Sequence, residues 1–148
     1  NEVLRVSNWV DEATASGAKL LSGGKALSKT VYAPTVLFNP KPEAKVSSLE
    51  VFGPLCCIYP YDNLDTAIAK ANSTPYMFQA AVMSPNIDFC LKTAQKLHAN
   101  AVMINDHSAF RADWMPFGGS KGSSYGAREQ GSYAAEFYTR VKTAYTLP

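Results

Sequence analysis

Polar residues with the potential to bind a small molecule follow an apolar run at residues 101–104, which predicts a β-strand. Asn105, Asp106 and His107 come directly after this run. Ligands of open α/β sheets bind at the carboxyl ends of strands, so the position favours a binding role. His107 could act as a base or as a metal ligand. A metal site needs several ligands, however, and the other histidine, His98, lies at a predicted helix end, so we predict no metal.

Arg111 lies in the same predicted loop and offers different chemistry. Its planar guanidinium can hold an anion through paired, charge-assisted hydrogen bonds. An alternative is a surface ion pair with Asp106 or Asp113, which would make Arg111 a structural residue. The sequence leaves both interpretations open.

The three cysteines are poor candidates for a nucleophile. Cys56 and Cys57 lie in an apolar run without a neighbouring His or Lys, and Cys90 lies in a predicted helix. Nothing beside them in the sequence indicates a lowered thiol pKa. The number is odd and C-x-x-C is absent, which argues against a zinc knuckle or a thioredoxin-like site. This cysteine usage predicts a reducing, cytoplasmic location.

Composition and charge exclude several classes of protein. The 148 residues suit one domain, and 47% apolar with 18% charged residues is not the composition of a disordered chain. No apolar run approaches the roughly 20 residues of a membrane span. The net charge of +2 comes from scattered basic residues, so neither a nucleic acid nor a membrane is predicted as a partner. The chain begins without Met in a helical pattern, which predicts a piece of a longer protein.

The elements that would position these residues alternate along the chain. Apolar positions three or four apart predict a helix over residues 2–16, ended by Gly17. Further on, the predicted strands cover residues 55–61, 78–83 and 101–104, and the predicted helices between them cover residues 64–71 and 85–97. This order predicts an α/β fold with an open, mostly parallel sheet and helices on both faces. The run at 55–61 predicts a strand buried on both faces.

Several boundaries follow from local signals. Asp62 and Ser84 are the predicted N-caps of the two later helices, and Asn100 is a predicted C-cap. Nearby prolines predict edge strands at residues 30–32 and 35–38. The chain ends with a long Gly-containing loop over 105–131, a short helix over 132–138 and a closing strand over 140–147.

The glycines of that loop fit no nucleotide fingerprint. G-x-x-x-x-G-K-[ST] fails because Ser120 precedes Lys121, and G-x-G-x-x-G is absent. Four other motifs nevertheless resemble the C-terminal part of NAD(P)-dependent aldehyde dehydrogenases. They are E-x-F-G-P at 50–54, an asparagine after a strand at Asn105, P-F-G-G-x-K at 116–121 and Y-T-x-V-K-T at 138–143. Each motif is weak alone, but the order and spacing of the four make the resemblance specific.

The resemblance covers nearly the whole chain and implies its organisation. Residues 1–139 would be part of the catalytic domain of this family, and residues 140–148 an oligomerisation strand that pairs across a subunit interface. Glu50 would accept hydrogen bonds from the nicotinamide ribose hydroxyls of NAD or NADP, and Phe52 would pack near the nicotinamide. The implied partners are a small aldehyde, the N-terminal part of the same protein and further copies in a homo-oligomer.

The resemblance also implies substrate contacts. Asn105 and Phe117 would shape the wall of the pocket near the reacting centre, while Arg111 and His107 would face the substrate tail. The loop sequence resembles members that act on small aldehydes with an anionic or hydroxylated tail, such as phosphonoacetaldehyde, sulfoacetaldehyde or lactaldehyde. Leu49, where the family often has an acidic residue, and Met77, where it usually has glycine, depart from the family pattern.

The resemblance implies no catalytic residue within the chain. The nucleophilic cysteine of the family, its general-base glutamate and its dinucleotide-binding domain lie upstream of the matching residues. The chain alone is therefore expected to be inactive, whereas the full-length enzyme would oxidise an aldehyde to its acid through a covalent thioester. The alternative is a free-standing, non-catalytic α/β binding or interaction module.

Overall fold

A computed structural model describes residues 1–126 and 128–148 of the chain. These residues divide into two compact units, Asn1–Asp62 and Asn63–Pro148. Across the described ranges, no helix combines the length and the apolar character that crossing a membrane requires.

The first unit packs two helices against a three-stranded sheet. Its elements are α1 (Glu2–Ala15), β1 (Lys19–Ser22), β2 (Thr35–Phe38), α2 (Lys45–Ser48) and β3 (Leu55–Ile58). Strand β2 lies in the middle, antiparallel to β1 and parallel to β3. Val6, Val10 and Ala13 share one face of α1 and are buried in one cluster with Leu37 of β2 and Val46 of α2. The apolar spacing that predicts α1 is therefore the spacing that builds this core.

The second unit is built around a parallel strand pair joined by a helix. Its elements are α3 (Leu64–Asn72), β4 (Tyr76–Met77), β5 (Gln79–Val82), α4 (Ile87–Lys96), β6 (Ala101–Ile104), β7 (Ser120–Lys121), a 3₁₀ turn (Gly131–Tyr133) and α5 (Ala134–Tyr138). Strands β5 and β6 are parallel, with Val82 opposite Ile104, and β4 pairs with β7 in antiparallel fashion. The crossover brings the carboxyl ends of β5 and β6 together, where the polar residues 105–107 follow.

These elements confirm the predicted α/β class and correct several local predictions. Helix α3 begins at the predicted Leu64, whereas α4 begins at Ile87, two residues later than predicted, and asparagine side chains cap both helices. Asn63 accepts a hydrogen bond from the Thr66 N–H at 3.0 Å, and Asn86 accepts one from the Phe89 N–H at 3.0 Å. The predicted caps at Asp62 and Ser84 are therefore wrong.

The burial and position of two strands also differ from prediction. Strand β2 is central rather than an edge, because its flanking prolines, Pro34 and Pro40, lie outside the paired residues. Residues 30–32 form no strand, and Tyr32 makes one isolated bridge to Ala26. Strand β3 alternates between half-buried and exposed residues instead of being buried on both faces.

The end of the chain has little regular structure. Helix α4 ends at Lys96 with Leu97 as its C-cap, so the predicted C-cap at Asn100 is wrong. Residues 139–148 are in neither helix nor strand, which differs from the closing strand predicted over 140–147. A strand needs a partner for its backbone N–H and C=O groups. The oligomerisation strand at 140–148 stays a prediction.

Candidate functional site

The E-x-F-G-P turn of the first unit is held firmly by its backbone. The Arg5 guanidinium of α1 donates a hydrogen bond to the Val51 carbonyl at 2.6 Å. A Cβ atom on Gly53 would lie 2.8 Å from Cγ2 of Val6, so only glycine fits this close to α1. The Gly53 carbonyl also accepts a hydrogen bond from the Leu55 N–H at 2.7 Å, at the start of β3. The turn is thereby fixed between α1 and the sheet.

The two side chains that this turn presents are exposed. Phe52 has a φ of 45°, a left-handed conformation that is costly for a bulky residue, and its exposed fraction is 78%. The Glu50 side chain is also exposed, and no hydrogen bond or ion pair occupies its carboxylate within the described part of the chain. A free carboxylate accepts hydrogen bonds only, and an exposed ring offers a packing face. Both groups therefore fit the NAD(P) contacts that the resemblance implies.

Asn105 links the ends of the two parallel strands in the second unit. Its backbone N–H donates to the Val82 carbonyl at 2.9 Å, and its side-chain Oδ1 accepts from the Ser84 N–H at 2.8 Å. Its φ of 56° is left-handed, a conformation that asparagine tolerates better than most residues. The residue therefore turns the chain at the predicted ligand-binding edge.

His107 is paired locally with Asp106. The His107 N–H donates to Oδ1 of Asp106 at 2.7 Å, and His107 Nε2 lies 3.8 Å from the same oxygen. The His107 side chain is 67% exposed. Within the described ranges, no group of three or more His, Cys, Asp or Glu residues lies close enough to hold a metal ion.

Arg111 is placed by an aromatic ring and an amide. Its guanidinium carbon lies 4.3 Å from the centroid of the Phe117 ring, which is a cation–π geometry. Its Nη2 donates a hydrogen bond to Oε1 of Gln130. The Phe117 ring in turn packs edge-to-face on Phe78, with 5.2 Å between the ring centroids. The half-buried Arg111 is thus fixed by groups that carry no charge.

The surface ion pair considered for Arg111 does not form in this structure. Among the described residues, Arg111 makes no ion pair with Asp106 or Asp113. Asp106 instead contacts His107. The alternative of a structural ion pair with either aspartate is therefore not the observed arrangement.

The turn that carries Phe117 is fixed by a polar network. The backbone N–H and C=O of Phe117 pair with those of Glu129, both at 2.7 Å. The Gly118 carbonyl accepts hydrogen bonds from the Asn100 side chain at 3.2 Å and from Arg128 at 3.4 Å. A Cβ on Gly119 would lie 2.5 Å from the Ser123 Cβ, so the fold requires glycine there. The P-F-G-G-x-K motif is therefore a rigid support for the Phe117 ring.

The structure distributes the six predicted site residues over the two units. Glu50 and Phe52 belong to the first unit, and the four predicted substrate residues belong to the second. Within the second unit the structure brings Arg111 and Phe117 into direct contact. Gln130 is not among the predicted site residues, because its only signal in the sequence is its place in a long loop without periodicity.

Two of the three cysteines, Cys57 and Cys90, have the surroundings of structural residues. Cys90 is fully buried, and its Sγ lies 3.7 Å from the Ser84 carbonyl. Cys57 is half-buried, its Sγ lies 3.8 Å from the Val46 carbonyl, and burial raises the pKa of its thiol. A raised pKa reduces the thiolate that reacts as a nucleophile. Cys56 is the exposed member of the three.

We expect a thiol reagent to distinguish these cysteines. In the native 148-residue chain near pH 8, Cys56 should react with a maleimide much faster than Cys57 or Cys90, because only Cys56 is exposed. Peptide mapping by mass spectrometry after a short exposure measures this order. Cys56→Ser should remove the fast phase, whereas Cys90→Ser should leave it. Rapid labelling of Cys90 would contradict the packing described here.

The sequence of this chain matches a known protein family over nearly its whole length. The profile described as Aldehyde dehydrogenase family matches residues 1–144. A 3-sulfolactaldehyde dehydrogenase of Priestia aryabhattai is 41% identical over 141 residues, which cover 95% of this chain and 29% of that relative. The chain therefore spans less than a third of the length of this curated relative.

Two solved structures have the same fold over nearly the whole chain. A lactaldehyde dehydrogenase superposes with a TM-score of 0.89 at 26% identity, over 99% of this chain and 31% of its own. A Mycobacterium tuberculosis aldehyde dehydrogenase complexed with NAD+ superposes with a TM-score of 0.84 at 29% identity, over 99% of this chain and 32% of its own.

Proposed function

The chain belongs to the aldehyde dehydrogenase family, and from that premise we propose that it is a C-terminal portion of the catalytic domain of such an enzyme. The full-length protein would oxidise a small aldehyde with an anionic or hydroxylated tail to its acid, using NAD or NADP. In this proposal the chain supplies contacts to the cofactor and to the substrate, and the nucleophile lies outside it.

The observation that carries this proposal is the environment of Arg111. Its positive charge is half-buried and rests on the Phe117 ring and the Gln130 amide, with no carboxylate partner among the described residues. A sulfonate, phosphonate or carboxylate on the substrate tail would supply the missing anion through charge-assisted hydrogen bonds. The name of the Priestia relative, a 3-sulfolactaldehyde dehydrogenase, supports a sulfonated and hydroxylated three-carbon aldehyde as one candidate.

Glu50 and Phe52 are the proposed cofactor contacts. When bound, NAD or NADP supplies the acceptor for the hydride that leaves the aldehyde carbon. The Glu50 carboxylate would hold the nicotinamide ribose through its hydroxyls, and the Phe52 ring would pack beside the nicotinamide. The fixed backbone of the 50–54 turn supports this role, because a rigid turn positions a ligand more closely than a mobile one.

The proposed reaction passes through a thioester on a cysteine outside this chain. A thiolate adds to the aldehyde carbon, the hydride leaves, and water then cleaves the thioester to release the acid. Asn105 and the rigid 116–121 turn would form part of the pocket wall around this centre. In this proposal the chain's own cysteines have no part in the step, because the resemblance places the nucleophile upstream of the matching residues, Cys90 is buried, and burial raises the pKa of the Cys57 thiol.

Two further proposals concern the oligomeric state and the cellular location of the enzyme. The exposure of Val141 (99%), Tyr145 (91%) and Leu147 (94%) supports the prediction that residues 140–148 pair with a second subunit in a homo-oligomer. The three free cysteines support a cytoplasmic location, because unpaired thiols are typical of reducing compartments.

We expect the purified 148-residue chain to oxidise no aldehyde with NAD or NADP, since it carries no suitable nucleophile. The full-length protein should form reduced nicotinamide with sulfoacetaldehyde or lactaldehyde under the same conditions. Absorbance of the reduced cofactor measures both. Activity of the chain alone that survives replacement of all three cysteines by alanine would contradict the proposed covalent route.

A further inference from the structure

Gln130 is held against the Arg111 loop by its neighbours on both sides. The preceding residue, Glu129, makes two backbone hydrogen bonds of 2.7 Å with Phe117. A Cβ on the following residue, Gly131, would lie 2.4 Å from the Trp114 carbonyl oxygen, so the backbones touch there. Gln130 therefore has little freedom to move away from Arg111.

The backbone of Gln130 adopts a conformation that glutamine rarely takes. Its φ is 64° and its ψ is 172°, a region populated almost entirely by glycine. Such a conformation persists only where the surrounding contacts impose it. The fold thus keeps a costly backbone geometry at the residue whose amide reaches Arg111.

The chemistry of the Gln130 side chain matters as much as its position. Its Oε1 accepts a hydrogen bond from Nη2 of Arg111, yet an amide carries no net charge. A carboxylate in the same place would form an ion pair and neutralise the guanidinium. Gln130 therefore fixes Arg111 and leaves its full positive charge, with its other N–H groups, available to another anion.

We propose that Gln130 is a positioning residue that makes Arg111 selective for anionic substrate tails. Its uncharged amide holds the guanidinium over the Phe117 ring through a hydrogen bond from one nitrogen of Arg111. The remaining donors face a sulfonate, phosphonate or carboxylate in the bound aldehyde. This inference rests on the proposed function and adds the residue that sets its substrate preference.

Gln130→Glu in the full-length enzyme tests whether the partner of Arg111 must be uncharged. The variant keeps the hydrogen bond but introduces a competing anion, so kcat/KM for sulfoacetaldehyde should fall by about tenfold or more. The fall for propanal, which has no charged tail, should be much smaller. Gln95→Glu adds the same charge on the exposed side of α4. It should leave the ratio of kcat/KM for sulfoacetaldehyde to kcat/KM for propanal at its wild-type value.

A second variant separates this inference from effects on folding. Gln130→Met removes the amide without adding charge, so it should raise KM for sulfoacetaldehyde several-fold and weaken competitive inhibition by inorganic sulfate. A wild-type substrate ratio in Gln130→Glu, or an unchanged KM in Gln130→Met, overturns the role of Gln130. The proposed function fails separately if the wild-type enzyme oxidises neither aldehyde.

Discussion

Arg111→Ala in the full-length enzyme should lower kcat/KM for sulfoacetaldehyde, with a loss of about 2–4 kcal/mol in transition-state stabilisation. This is the range for lost hydrogen bonds to charged groups. The guanidinium rests on the Phe117 ring and the Gln130 amide, so the substrate tail would be its anionic partner. Steady-state kinetics with sulfoacetaldehyde and with propanal measure the effect. The loss for propanal should be far smaller, because its tail has no charge to bind.

Two further variants define what the Arg111 result means. Arg111→Lys keeps a positive charge but loses the planar fork and should recover part of the lost kcat/KM. Lys92→Ala removes a positive charge from the exposed face of α4 and should leave kcat/KM unchanged for both aldehydes. Equal losses for the two aldehydes in Arg111→Ala would remove the anion-binding role and leave Arg111 as a structural residue.

Glu50→Gln should reduce kcat strongly while changing KM for the aldehyde less. The proposed hydrogen bonds from ribose hydroxyls orient the nicotinamide for hydride transfer, and a misplacement of about 1 Å can cost roughly 10²-fold in rate. An amide oxygen accepts these bonds less strongly than a carboxylate. Kinetics at varied aldehyde concentrations, with NAD or NADP saturating, measure both kcat and the KM for the aldehyde.

Glu43→Gln is the matched control for the Glu50 experiment. Glu43 is also exposed in the first unit, and the resemblance assigns it no contact with the cofactor. Its substitution should leave the kinetics at wild-type values. Wild-type kinetics in Glu50→Gln as well would contradict the cofactor role of the 50–54 turn.

Local sequence patterns were sufficient to predict the framework of the site. The apolar face of α1 and the strand–helix–strand order around α4 follow from side-chain periodicity, which core packing enforces. Asn105 was predictable because it follows β6 directly, and the strand register places Ile104 opposite Val82. Fold class and the position of the polar edge therefore depend on short-range signals that the sequence carries.

Short-range sequence signals could not predict the contacts of Arg111. Its partner Gln130 lies nineteen residues further along the chain, across a loop whose course is set by the glycines and the Phe117–Glu129 pairing. The two aspartates near Arg111 in sequence were the obvious partners, yet among the described residues no ion pair joins either of them to Arg111. Phe52 is similar, since nothing in its residue type predicts a left-handed backbone.

The proposed activity of the full-length protein is the oxidation of an anionic aldehyde with a nicotinamide cofactor. Product analysis tests it most directly, by incubating the full-length protein with sulfoacetaldehyde and NAD or NADP and quantifying sulfoacetate and reduced nicotinamide together. We expect the two products in equal amounts, and a higher kcat/KM for sulfoacetaldehyde than for propanal. A folded full-length protein that forms neither sulfoacetate nor reduced nicotinamide from sulfoacetaldehyde would contradict the claim.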